Sequence, residues 1–230
     1  MRIVAVDASS WWGGVALLER RDGRSAEAAE LGFEVRSSHV GSLLAAIDHA
    51  LALADWNRSS LDGFVATRGP GSFTGVRIGL GIVRGLGLAA DRPCAGVATL
   101  DSLAAAFGPA EGERLALISA GRGEIFGARY HAVGVGAPLD GPWLMPQRRL
   151  ADALADGAVT VVIPAKGSEP AVRGMELERF GIRVAAAPGA VATAAGRLAL
   201  SAGLLDDPDD ATMAPLYLRP PDAELESFSS

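Results

Sequence analysis

The chain has 230 residues, 49% of them hydrophobic and 21% charged, and carries a formal net charge of −6. That length suits one large globular domain or two small ones. The acidic balance excludes a chain built to hold nucleic acid on its own, which needs clustered Lys and Arg. Only Lys166 is a lysine, and no basic run exceeds Arg20-Arg21 or Arg148-Arg149. The single cysteine, Cys94, leaves no internal disulfide and no multi-cysteine metal site. Its apolar, strand-like surroundings fit a small buried thiol better than a nucleophile. Met1-Arg2-Ile3-Val4-Ala5-Val6-Asp7 has no signal-peptide layout, and no uncharged apolar run of roughly 18 residues suggests a membrane span. A cytoplasmic protein is the expectation.

In chain order, Ile3–Val6 and Val15–Leu18 read as two strands around the polar Asp7-Ala8-Ser9-Ser10 turn, and Ala28–Val35 as a third. His39–Ala54 has helical spacing, with Leu43, Leu44, Ile47 and Leu51 on one face. Leu61–Thr67 is a buried-strand candidate. Arg68-Gly69-Pro70-Gly71-Ser72-Phe73-Thr74-Gly75 then makes a tight turn whose amides could face an anion, and a helix follows to about Ala90. A strand at Pro93–Val97 and a helix at Thr99–Phe107 close this half. From Arg114 the plan of strand, polar turn and strand returns, with Ile118 and Ser119 in the places of Val6 and Asp7. A strand at Val159–Ile163 and an Ala-rich helix from about Ala190 to Leu204 follow. The expected organisation is therefore α/β with two related lobes: 1–107, 108–218, and a flexible tail 219–230.

The glycines inside the predicted helix need a reason, since each costs about 0.5–1 kcal/mol relative to alanine. Gly75, Gly79, Ile82 and Leu86 share one helical face, and Gly81 and Gly85 make a second small pair. Small faces let backbones approach closely, either within the chain or against a partner, with the His39–Ala54 helix as neighbour. The relaxed Gly69-x-Gly71-x-x-x-Gly75 pattern also admits a dinucleotide-binding reading, weakened by Pro70, which removes an amide donor. Ser72 lies in no Gly-x-Ser-x-Gly elbow, so nucleophilic catalysis has little support. His39 and His49 are ten residues apart, not the three or four that place two ligands on one helical face.

Gly69-Pro70-Gly71-Ser72-Phe73-Thr74-Gly75-Val76-Arg77-Ile78-Gly79 closely resembles the signature of the TsaB family, also called YeaZ. Ile3–Ser9, His39 with Leu43 and Ile47, Gly123-Glu124-Ile125-Phe126 and Pro215-Leu216-Tyr217-Leu218-Arg219 extend the resemblance from residue 3 to residue 219. It implies an actin-like ATPase (ribonuclease H-like) fold, with two related lobes of mixed sheet flanked by helices. It also implies a non-catalytic scaffold and activator that pairs with TsaD, and with TsaE, in threonylcarbamoylation of the adenosine beside the anticodon of tRNAs reading codons that begin with A. In that scheme TsaD holds metal and nucleotide, so this chain needs no cofactor of its own: ATP or ADP belongs to the partner complex, and tRNA is reached only through it. The helices carrying His39, Leu43, Ile47, Thr74, Gly75, Arg77, Ile78, Gly79, Ile82 and Leu86 would form the partner interface, or a homodimer when TsaD is absent.

In such a fold Asp7, Ser9, Gly71 and Ser72 mark where nucleotide or phosphate would lie. An ATPase also wants a second carboxylate from the other lobe. Where relatives have Asp-Ala-Arg, this chain has Ser119-Ala120-Gly121. The His-x-x-x-His pair of TsaD-like proteins is missing from Val97–Ala106. No catalytic residue and no metal site is therefore expected. The alternative is a small-molecule kinase or ATPase of the same fold using Asp7; a plain turn-capping role for Asp7 stands beside it.

Overall fold

A computed structural model describes residues 1–34, 39–108, 112–131, 137–150, 154, 159–163, 183–186 and 191–219. Its first sheet is built from β1 (Arg2–Asp7), β2 (Trp12–Arg21), β3 (Arg24–Glu34), β4 (Gly63–Thr67) and β5 (Cys94–Val97), in the order β3-β2-β1-β4-β5. The first three strands pair antiparallel, whereas β4 and β5 join parallel to β1. The second sheet repeats this plan. Its strands are β6 (Glu113–Gly121), β7 (Glu124–Tyr130), β8 (Asp140–Pro146), β9 (Val159–Ile163) and β10 (Arg183–Ala186), in the order β10-β9-β6-β7-β8. Here too the hairpin strands are antiparallel and the last two parallel. The repeated order is the two-lobed, actin-like plan. The edge strands β8 and β10 have no counterpart among the elements expected from the sequence.

Three helices follow their predicted periodicity closely: α1 (His39–Leu53), α2 (Phe73–Ala90) and α3 (Thr99–Ala106). The last described helix, α4, spans Val191–Ser201. Helix α2 starts where the Ser72 hydroxyl accepts the Gly75 amide at 3.2 Å. It stops at Asp91, which is left-handed (φ 54°). By length and hydropathy alone α2 would suffice to cross a bilayer, but it carries Arg77 and Arg84 and buries Val76, Leu80 and Val83 in the first core. It is a core helix of the first lobe. Near its end, Cys94 Sγ donates to the Val83 carbonyl at 3.3 Å, and burial pushes this thiol's pKa up, the opposite of what a nucleophile needs.

The helices do not sort by chain segment as expected. Leu100, Leu103 and Ala104 of α3 pack in the core of the second sheet with Ala116, Ile118 and Phe126. Ala192, Ala195 and Ala199 of α4 pack on Ile3, Ala5, Leu18 and Val65 of the first sheet. The 1–107 and 108–218 segments each close a sheet belonging to the other, so neither is a self-contained core. Tyr130 strengthens the exchange by donating to Asp101 Oδ1 of α3 at 2.6 Å. The tail expected to fray lies, beyond Arg219, outside the described residues.

Candidate functional site

Strand β1 carries Asp7 to the point where the first lobe's turn meets the glycine turn. The carboxylate is buried; its Oδ1 accepts the Ser9 amide at 3.0 Å and the Thr67 hydroxyl at 2.6 Å. Thr67 arrives there because β4 runs parallel to β1 with Val6 opposite Ala66, which aligns the two strand ends. Burial raises the Asp7 pKa, against the lowering effect of the hydrogen bonds from Thr67 and Ser9. The second lobe repeats the motif with a weaker group: the Ser119 hydroxyl accepts the Gly121 amide at 3.3 Å. Asp7 and Ser119 thus do the same local work, bonding the amide two residues on. That work requires an acceptor but no charge, so serine suffices at position 119.

Asp7, Ser9, Gly71 and Ser72 come together around Ser9, which bonds both Asp7 and Ser72 and lies against Gly71. The Ser72 amide donates to the Ser9 carbonyl at 2.6 Å. A Cβ at Gly71 would overlap that same carbonyl oxygen. The Gly69 amide donates to Thr99 Oγ1 at 3.1 Å, and the Thr99 amide returns a bond to the Gly69 carbonyl at 2.8 Å. Pro70 has no amide hydrogen. Of the turn's amides, those of Gly69, Ser72 and Gly75 are therefore spent inside the chain, on Thr99, Ser9 and Ser72. Thr67 and Thr99 are contributions that sequence reasoning missed; each is a hydroxyl placed by the parallel alignment of strand ends, which no local pattern reveals.

The residues expected at a partner interface divide sharply. Leu43 and Ile47 of α1, and Gly75 and Gly79 of α2, are buried in the first lobe. Leu43 and Ile47 join Val4, Val15 and Phe64 in one cluster. A Cβ on Gly79 would meet Ala8 Cβ at 3.5 Å and Val6 Cγ2 at 4.0 Å. These four positions belong to the chain's own core, which corrects their assignment to a partner surface: the small face of α2 serves the approach of helix to sheet. Ile78, Ile82 and Leu86 are half-buried against the same cluster. Thr74 and Arg77 are exposed, in line with Gly81, Arg84, Gly85 and Leu88, the last 85% exposed. Leu44 of α1 is also exposed. His39 begins α1, but its side chain lies outside the described residues. Among the described residues no group of three His, Cys, Asp or Glu is placed to hold a metal ion.

The pH dependence of the first turn follows from Asp7. Its folded-state pKa stands above the free side chain's 3.8. The folded state then holds the proton more tightly, so this group's contribution is complete below 3.8 and is lost as pH rises through the folded value. Asp7→Asn keeps an oxygen for Ser9 and Thr67 but cannot ionise. Thermal melts at pH 4 and pH 7 should show the variant gaining on the wild type as pH rises. A variant that loses ground at pH 7 would mean that the ionised carboxylate is the stabilising form.

Comparison with known proteins agrees with this geometry. A family model described as TsaD, tRNA N6-adenosine threonylcarbamoyltransferase, matches residues 34–140. The tRNA threonylcarbamoyladenosine biosynthesis protein TsaB of Escherichia coli (strain K12) is 36% identical over 132 residues, 56% of this chain and 55% of that protein. An uncharacterised protein of Mycobacterium tuberculosis (strain ATCC 25618 / H37Rv) is 32% identical over 191 residues, 79% of this chain and 73% of that one. The chain spans about half the length of the curated TsaB relatives it matches. The solved structure of YeaZ from Pseudomonas aeruginosa superimposes with a TM-score of 0.69 at 23% identity, over 94% of this chain and 99% of that one, which establishes a shared fold. From the glycine signature through the doubled sheet to these relatives, the chain is similar to the TsaB/YeaZ family in sequence over about half its length and in fold throughout.

Proposed function

We propose that the chain serves tRNA threonylcarbamoyladenosine synthesis as a non-catalytic scaffold and activator that pairs with a TsaD-type transferase and works with TsaE. The observation that carries this reading is the 32–36% identity to curated TsaB proteins. Two features of the first turn support it. Asp7 Oδ1 accepts from both Ser9 and Thr67, the bonding of a turn cap. Its counterpart in the second lobe is a serine. The exposed stripe Thr74, Arg77, Gly81, Gly85 and Leu88 on α2, with Leu44 on α1, is the surface we assign to docking. Helix-on-helix packing needs an apolar contact of this kind with small residues at its centre. ATP would then be held by the complex, tRNA would be reached through the partner, and the cytoplasm would be the site of action.

Reconstitution tests the proposal. With cognate TsaD-type and TsaE-type proteins, ATP and substrate, modified adenosine should accumulate only when this chain is added. Asp7→Asn should support the reaction as the wild type does. Modification that proceeds equally without the chain would refute the activator role. Metal-dependent ATP turnover by the isolated chain, abolished in Asp7→Asn, would establish the kinase-like alternative instead.

A further inference from the structure

We propose that residues 209–219 form a latch that couples the glycine turn of the first lobe to the β6–β7 turn of the second. This segment runs from one sheet to the other and is fastened along its length. At its start Thr212 closes the open edge of β5: its hydroxyl accepts the Gly96 amide at 3.3 Å, and a Cβ on Gly96 would overlap its carbonyl oxygen. Met213 is buried in the first core. The Leu216 amide then donates to the Arg68 carbonyl at 2.7 Å. The Leu216 carbonyl lies 2.7 Å from where a Cβ on Gly69 would stand; Gly69 is held at φ +100°. The strap therefore rests directly on the glycine turn, and only glycine admits it there.

The second half of the strap reaches the other lobe. Tyr217 stacks on Phe73 with ring centroids 4.8 Å apart, and the Arg77 guanidinium lies 5.1 Å from the Phe73 centroid. Leu218 packs against the core of the second sheet. Arg219 donates to the Ala120 carbonyl at 3.3 Å and pairs with Glu124, so it grips both sides of the β6–β7 turn. Side-chain contacts run from Arg77 on the outside of α2 through Phe73 to Tyr217, and the strap's backbone carries the path on to Arg219 and Glu124. A short segment anchored in two cores transmits a displacement at one end to the other, because neither core deforms continuously. The latch is a property of the isolated chain and stands apart from the docking reading.

Hydrogen exchange on the full-length chain tests it, since it reads local opening turn by turn. Arg219→Ala should raise exchange about tenfold at Ser119–Glu124 and also at Gly69–Ser72, which Arg219 does not contact. Tyr217→Ala should raise exchange at Gly69–Ser72 and again at Ser119–Glu124, whereas Tyr217→Phe should not. Changes confined to the residues each side chain touches would overturn the latch. If Arg219→Ala loses protection throughout the chain, the exchanged pair Arg219→Glu with Glu124→Arg decides. Protection restored at both turns supports the latch, and protection restored at neither refutes it.

Discussion

Gly196→Leu should lower the stability of the chain by about 3 kcal/mol, at the upper end of the range for overpacking a filled core. The cause is the approach of α4 to the first sheet. A Cβ at Gly196 would stand 2.5 Å from Leu18 Cδ1, 3.1 Å from Ala5 Cβ and 3.5 Å from Ile3 Cδ1. The Leu18 methyl is the tip of a side chain and can turn away. Ala5 cannot: its Cβ is fixed on β1, the central strand of the sheet. A leucine there has to lift the helix, and with it Ala192, Ala195 and Ala199 from the apolar face they cover. For a protein of this size the shift in Tm should be about 6–12 °C. Gly196→Ala should cost less, because it adds only the Cβ: Leu18 turns away, a shift of a few tenths of an ångström relieves Ala5, and up to about 1 kcal/mol of helix propensity is regained. Equal melting temperatures for Gly196→Leu and wild type would mean that α4 does not lie where the structure places it. The same geometry has a consequence for dissection. A fragment ending at residue 107 retains Ile3, Ala5, Leu18 and Val65 with nothing to cover them, and should fail to fold alone.

The first core was legible in the sequence to the extent that periodicity is local. The apolar faces of α1 and α2, the strands flanking Asp7 and the repeat of that plan from Arg114 all follow from patterns a few residues long. The edge strands do not. β8 contains Pro142 and Pro146 and β10 has four residues, so neither shows the alternation that marks a strand. The exchange of α3 and α4 between sheets was equally hidden, since an Ala-rich face such as Ala192-Ala195-Ala199 fits one apolar sheet as well as another. At the candidate site the turn residues Asp7, Ser9, Gly71 and Ser72 were identifiable by type and spacing. Thr67, Thr99 and the Arg219–Glu124 pair reach the turns only through strand register and a long return of the chain, and spacing carries no trace of either. The small residues of α2 misled for a physical reason. A glycine stripe reads alike whether it faces another molecule or the chain's own sheet, and here Gly79 faces Ala8 and Val6 and Gly75 is buried, while Gly81 and Gly85 face outward.

That division makes a decisive pair of substitutions possible. Gly81 has no atom within 4 Å of where its Cβ would be, so Gly81→Trp should leave the fold intact and gain slightly in helix propensity. On the proposed docking surface the same ring would stand in the middle of the stripe between Arg77 and Leu88 and hold a second helix away from it. Closely packed helices sit only 8–10 Å apart, and an indole at the contact cannot be accommodated without separating them. Affinity for a TsaD-type partner should fall by more than about tenfold, the usual consequence of disrupting the centre of an interface. Gly79→Leu should do the reverse. Alanine fits at that position, with its Cβ at 3.5 Å from Ala8, but leucine adds three carbons to a closed core and should cost about 1–3 kcal/mol. Thermal melts and gel filtration with the partner separate the two effects. A Gly81→Trp variant that pairs normally would move the docking surface off α2. A Gly79→Leu variant with unchanged Tm and lost pairing would return the inner glycines to the interface and displace α2 from the sheet it packs on.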